Sequence, residues 1–263
     1  MPPVPTVPSG RPDPSSPRYP QAAGAATSLA ALDAHLVDCR ACPRLVAWRE
    51  EVAATRRAAF REETYWGRPV PGFGDPGAAI VVVGLAPAAH GANRTGRMFT
   101  GDRSGDFLFA AMHRTGFANQ PTSTSIDDGL TLRGIRVTAP VRCAPPANQP
   151  TVDERRRCAP YLGRELELVG GGVRVAVALG AVGWQALLTT LGEQGWAVPR
   201  PRPRFAHGAE VRLERDGDRD ADGGRVLTLL GCFHVSQQNT FTGRLTPPML
   251  DAVLLRARDL ASR

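Results

Sequence analysis

The 263-residue chain is 42% hydrophobic, enough for one domain with a full core. It has no apolar run of membrane-spanning length, and its opening "MPPVPTVPSGRPDPSSPRYP" lacks the apolar centre of a signal peptide, so a cytoplasmic protein without membrane contact is expected. All 32 basic residues are arginine and the net charge is +7, which favours a polyanionic partner such as nucleic acid, although a GC-rich genome that writes Arg for Lys gives the same composition. Without lysine, lysine-dependent Schiff-base chemistry and a Lys-bearing phosphate loop are both excluded, and only the chain terminus could supply an amine.

Residues 1–25 carry eight prolines with Gly and Ser and cannot bury enough apolar surface to offset ordering entropy. A disordered arm is expected there, followed by a single domain over 26–263. Ser28 is placed to cap a helix whose Leu29, Leu32 and Leu36 share one face, and a second helix is expected from Leu45 past Arg56. "CRAC" lies between them. "AIVVVG" reads as a buried strand, and "SGDFLFAAMHRTG" as a helix capped by Ser104 and stopped at Gly116. "IRVTAPVRC" is the next strand, and Thr151 with Glu154 forms a capping box for the helix after it. "VRVAVALG" is a strand, "AVGWQALLTTLG" a helix, and "AEVRLE" with "RVLTLLG" a hairpin around "RDGDRDADGG". Thr246 and Pro247 open a last helix. Strand and helix alternate, which predicts a three-layer α/β/α sandwich around a mostly parallel four-stranded sheet with its ligand at the carboxyl ends of the strands.

Two segments fall at that edge: "GLAPAAHGANRTGRMFTGD" after the first strand and "GCFHVSQQNTFTGRLT" after the last. The first is neither a phosphate loop nor a GxGxxG turn. Asp218, Asp220, Asp222 and Gly223 have calcium-loop spacing, but the twelfth position is Leu229 where a bidentate Glu is needed, so a solvated turn is expected. His234 precedes Ser236, Gln237, Gln238, Asn239 and Thr240, a dense run of hydrogen-bonding side chains. Arg94, Arg97 and Arg244 could follow phosphates, and Phe99 among glycines could stack on a base or plug a core gap.

Of five cysteines, Cys39 and Cys42 form a close pair, and a wide pair, Cys143 and Cys158, brackets "APPANQP". In a reducing cytosol this arrangement argues for ligation over disulfides. The spacing leaves a [4Fe-4S] cluster and structural zinc equally open. Cys232 has no pairing partner and reads as a buried strand end.

Together, "GLAPAAHGANRTGRMFTGD", the four cysteines in this order, "APPANQP" and "HVSQQNTFTGRLT" resemble the family 5 uracil-DNA glycosylases, over about residues 28–260. The resemblance implies the superfamily fold, a [4Fe-4S] cluster on Cys39, Cys42, Cys143 and Cys158, and monofunctional excision of uracil and other deaminated or damaged bases (hypoxanthine, xanthine, ethenocytosine) from duplex DNA, by a monomer. It implies that Gly84, Leu85, Ala86, Phe99 and Ala139 line the base pocket, with Phe99 stacking, and that His234 steadies the leaving base. Arg94, Gln237, Gln238, Asn239 and Arg244 would contact DNA, with Phe241 or Leu245 as a wedge.

Two positions depart from related families. Ala86 stands where sister families carry Asp, Asn or Glu to activate water, which leaves Asn93 first and Asp102 second as candidates, each also readable as a turn residue or helix cap. Ala139 replaces an asparagine that would select uracil, so broader substrate acceptance is expected. A non-catalytic iron–sulfur protein that binds nucleic acid is the alternative function, and an iron–sulfur electron carrier a third.

Overall fold

The computed structural model describes residues 12–169, 172–215 and 225–262. In chain order the helices and strands are α1 (Leu29–Val37), α2 (Pro43–Thr55), β1 (Phe73–Gly74), β2 (Ile80–Val83), α3 (Ala92–Thr95), α4 (Arg103–Arg114), β3 (Ile135–Thr138), α5 (Val152–Leu168), β4 (Val175–Leu179), α6 (Gly180–Glu193), β5 (Glu210–Arg215), β6 (Arg225–Cys232), α7 (Gln237–Phe241) and α8 (Pro247–Ala261). None of the described helices is long and apolar enough to cross a membrane.

Local chemistry sets most of the helix starts. Ser28 caps α1 by accepting a bond from the Ala31 N–H at 3.2 Å, and the Thr151/Glu154 box closes in both directions at α5. Proline at the first helical position opens α2 and α8, where its missing N–H costs nothing. At α4 the cap is Asp102, not Ser104: its Oδ1 accepts from the Ser104 and Gly105 N–H groups at 2.9 and 3.0 Å.

The sheet has six strands in the order β1-β3-β2-β4-β6-β5. The expected four parallel strands form its centre, β3-β2-β4-β6. Antiparallel strands flank them at the edges, β5 from the predicted hairpin and the unpredicted β1. The predicted hairpin joins β5 to β6, while its acidic turn with Asp218, Asp220, Asp222 and Gly223 lies outside the described residues.

Both faces of the central strands are covered, so the strands are apolar at nearly every position. Ile80 and Val82 of β2 pack with Leu108, Phe109 and Met112 of α4 and Leu250 and Leu254 of α8. Val81 and Val83 face the other way, onto Leu162 of α5 and Trp184, Leu187 and Leu188 of α6. A third cluster joins Leu32, Leu36 and Leu45 of the N-terminal helices to Tyr161, Cys143 and Cys158.

Part of the stretch expected as a disordered arm over 1–25 is ordered in the structure, in contrast to its composition. Tyr19–Ala25 forms a 3-10 turn, and Tyr19 stacks on His35 with ring centroids 4.1 Å apart. Buried Tyr19, Pro20 and Ala23 seat this proline-rich stretch against α1 and α5, and the Tyr19 hydroxyl donates to the His35 carbonyl at 3.1 Å.

Candidate active site and cysteine site

A pocket of about 280 Å³ opens at the carboxyl edge of the sheet. Its walls come from the segments that follow β2 (Leu85, Ala86, Phe99 and Asp102), β3 (Ala139 and Asn148) and β6 (His234 and Ser236). Two stretches far apart in sequence therefore meet at one place, as the parallel topology requires.

Phe99 is held in a strained backbone conformation with φ +53°, which a bulky side chain adopts only when its surroundings enforce it. Two glycines make the room. A Cβ on Gly84 would lie 2.6 Å from the Phe99 ring, and one on Gly105 would lie 1.7 Å from the Phe99 carbonyl oxygen. The ring consequently lies against the end of β2, 6.5 Å from the His234 ring at a 38° tilt.

Burial pulls the His234 imidazole down to about 4, so the ring is neutral at physiological pH and carries one N–H to donate. Its backbone is fixed by Asn239, whose Nδ2 donates to the His234 carbonyl at 2.8 Å. Asp102 uses Oδ1 for capping, and its Oδ2 has no hydrogen-bond partner among the described residues. Burial raises its carboxyl above the ordinary carboxylate value, against the lowering effect of the two cap bonds. The result is a more basic carboxylate in the pocket wall.

The four cysteines also converge. Cys39, Cys42, Cys143 and Cys158 line one small cavity together with Leu36, Leu45, Val46 and Tyr161. Burial pushes the Cys143 thiol up to about 12 and raises Cys158 and Cys42 as well. Arg49 is 1% exposed and donates from Nη1 to Cys143 Sγ at 2.9 Å and from Nη2 to the Cys39 carbonyl at 3.1 Å, while its Nε has no partner. Among the described residues no group of three or more Cys, His, Asp or Glu side chains is arranged to hold a metal ion.

Residues 71–257 match the uracil DNA glycosylase superfamily. The chain is 54% identical over 239 residues to a type-5 uracil-DNA glycosylase of Mycobacterium tuberculosis, covering 91% of this chain and 84% of that protein. It is 53% identical over 226 residues to the type-5 enzyme of Thermus thermophilus, covering 86% and 95%. A type-4 uracil-DNA glycosylase of Sulfurisphaera tokodaii is 27% identical over 155 residues, 59% of this chain and 62% of that one.

The chain belongs to the type-5 uracil-DNA glycosylases.

In this family member the pocket gathers Leu85, Ala86, Phe99, Asp102, Ala139 and His234, with Gly84 beneath the Phe99 ring. Ala86 and Ala139 present only methyl groups to it. Asn93 does not reach it. That side chain is fully buried in α3, where Nδ2 donates to the Arg49 carbonyl at 3.2 Å and to the Ala89 carbonyl at 3.4 Å. It ties the pocket loop to α2, in place of the water-holding role expected for it first, and its backbone is helical, not the left-handed turn that was its other reading.

Arg94 and Arg97 are also turned inward. Arg94 is 8% exposed, donates to the His90 and Gly101 carbonyls at 2.9 and 2.8 Å, and pairs with Glu63. Arg97 binds Asp128 at 2.7 Å and Ser123 at 3.0 Å. Both arginines shape the loop from within. Gln237 and Gln238 are exposed on α7, Asn239 is half-buried, and the exposed Arg244 lies over the Phe233 ring at 4.6 Å. Of the two candidate wedges, Phe241 is 75% exposed and Leu245 is core.

The pocket also holds a polar residue outside the assigned site set. Asn148 lines the rim with φ +56°. Asparagine is among the few non-glycine residues that adopt this region readily, and that preference is the available signal. Arg49 carries none, being one arginine among many.

Proposed function

We propose that this chain excises uracil from DNA by hydrolysis of the N-glycosidic bond, and that Phe99, His234 and Asp102 carry the reaction. The supporting observation is their meeting in one pocket of nucleobase scale at the carboxyl edge of the sheet. A base reaches such a pocket only if its nucleotide is flipped from the stack. Phe99 offers the flipped base a face. His234, neutral, donates its N–H toward a carbonyl oxygen of the base as the bond to the sugar breaks and both electrons leave with the ring. Asp102 Oδ2 accepts a proton from the water that attacks the sugar carbon, and Asn148 at the rim orients that water. Phe241 on α7 fills the space left in the duplex, and Gln237, Gln238 and Arg244 contact the strand beside it.

Ala86 and Ala139 offer the base no side-chain hydrogen bond. A pocket without such a partner rejects analogues weakly, which supports hypoxanthine, xanthine and ethenocytosine as further substrates. The absence of lysine supports a monofunctional enzyme, since no side-chain amine can form a Schiff base. The pocket is complete in one copy, which supports action as a monomer; the reading places that action on duplex DNA in the cytoplasm.

Cys39, Cys42, Cys143 and Cys158 would hold a [4Fe-4S] cluster, which when bound supplies a structural cross-link between the N-terminal helices and α5. A buried guanidinium donating to a cysteine sulfur fits this reading, because four thiolates and their cluster need a counter-charge in an apolar site. An excision assay on uracil-containing duplex, followed by alkaline cleavage of abasic sites, tests the activity. Binding without scission would favour the non-catalytic alternative.

A further inference from the structure

A second, larger cavity of about 840 Å³ runs as a groove between α5 and α6. Its charges are unevenly placed. The end nearest the carboxyl edge of the sheet is lined by Pro140, the residue after pocket-lining Ala139, and by Arg155 and Arg156 in the first turns of α5. The far end holds Glu167 and Glu193, near the last turns of the two helices, together with Arg164, which already pairs with Glu167 at 2.7 Å. Arg202 joins the groove from the strap that follows α6, donating to Thr189 Oγ1 at 3.1 Å.

That strap reads "RPRPRF", residues 200–205. Arg200, Arg202 and Arg204 are all exposed. None of these three, nor Arg155 or Arg156, takes part in an ion pair among the described residues. The backbone beneath the strap is nevertheless fixed. Trp184 Nε1 donates to the Pro203 carbonyl at 2.9 Å, and the Phe205 ring meets Trp184 at 6.1 Å and Phe233 at 6.3 Å. Phe233 immediately precedes His234, and Arg244 covers its ring. The strap thus leads along the protein surface to the pocket.

We propose that Arg200, Arg202 and Arg204, with Arg155 and Arg156 across the groove, form a track for the phosphodiester backbone of the DNA strand flanking the excised base. This rests on the reading of the chain as a DNA glycosylase. These five cations have no carboxylate partner among the described residues, which leaves their guanidinium groups available to an anion. Arginine forks match phosphate oxygens, and phosphate contacts set the register of a protein on DNA without reading its sequence.

The test uses the full chain and a triple variant, R200A/R202A/R204A, with R155A/R156A as an independent second variant. Binding to a uracil-free duplex is measured across a salt series. Removal of one arginine from a phosphate should make the slope of log Kobs against log salt shallower by about 0.9, so the slope of the triple variant flattens by roughly 2 to 3. Affinity falls by on the order of tenfold or more at moderate salt, equally with and without uracil. R200K/R202K/R204K, which keeps the charges, should retain most of the slope. An unchanged slope in both alanine variants would overturn the track. If wild type excises uracil while the slopes do not move, only the track fails. If the slopes flatten but wild type leaves uracil in place, the track stands and the glycosylase reading fails.

Discussion

The rings of Phe99 and His234 lie 6.5 Å apart and tilted by 38° in one pocket, although one follows β2 and the other follows β6. The gap is too narrow and the tilt too great for a base sandwiched between them. A base laid on the Phe99 face instead brings its edge toward the imidazole, which is the arrangement a leaving group needs if its developing charge is to meet an N–H.

Removing the Phe99 ring should weaken capture of the flipped base. Base–aromatic stacking is worth about 1–3 kcal/mol, so Phe99→Ala should raise the DNA concentration for half-maximal excision by roughly one to two orders of magnitude. Single-turnover kinetics over a range of duplex concentrations checks this. Half-saturation within twofold of wild type would show that the ring only plugs the end of β2.

His234 gives a pH signature. Its folded value of about 4 lies below the ordinary histidine value near 6.5, so between these values the unfolded chain binds more protons than the folded one. Stability contributed by the neutral buried ring is therefore present above about pH 6.5 and declines as pH falls toward 4. His234→Gln lacks this linkage. Between pH 7 and pH 4.5 wild type should lose stability relative to the variant, measured by denaturant unfolding. Parallel pH curves would contradict the neutral, buried imidazole.

Asp102 and Asn93 separate cleanly. Asp102→Asn keeps a good helix cap but removes the base, and should lower the single-turnover rate about 10²- to 10⁴-fold with little change in thermal midpoint. Asn93→Ala breaks the tie between the pocket loop and the Arg49 carbonyl, and should cost about 1 kcal/mol of stability with a much smaller effect on rate. The reverse pattern would return the water to Asn93.

The cysteine site predicts a difference between ligand and counter-charge. Cys143→Ala should lose iron and soluble protein together, since ligation energy is folding energy in such sites. Arg49→Met keeps all four thiols and should yield protein that gives up iron to a chelator at least several-fold faster. Zinc in place of iron, found by metal analysis of purified wild type, would refute the cluster.

Much of this architecture was legible because local signals agreed with the global fold. Ser28, the Thr151/Glu154 box and Pro247 marked helix starts, and uninterrupted apolar runs marked strands covered on both faces. Edge strand β1 is only two residues long and carries no pattern. The pocket motifs were readable as segments, yet not the direction of each side chain within them. Arg94 and Arg97 look like phosphate ligands until their partners are seen, and Asp128 lies 31 residues from Arg97 in sequence. Asn93 points into the protein because α3 turns it toward α2, a consequence of packing that spacing does not record. Tyr19 anchors a stretch whose average composition argues for disorder.

Excision of uracil in the pocket between Phe99, Asp102 and His234 is read most directly as strand scission after alkali. The substrate is a duplex with one uracil, under single-turnover conditions, for wild type and His234→Ala. Wild type should cut only at the uracil position, and His234→Ala should be slower by several orders of magnitude while still binding the duplex. An uncut duplex with wild type, or near-normal cutting by His234→Ala, would refute that role for the pocket.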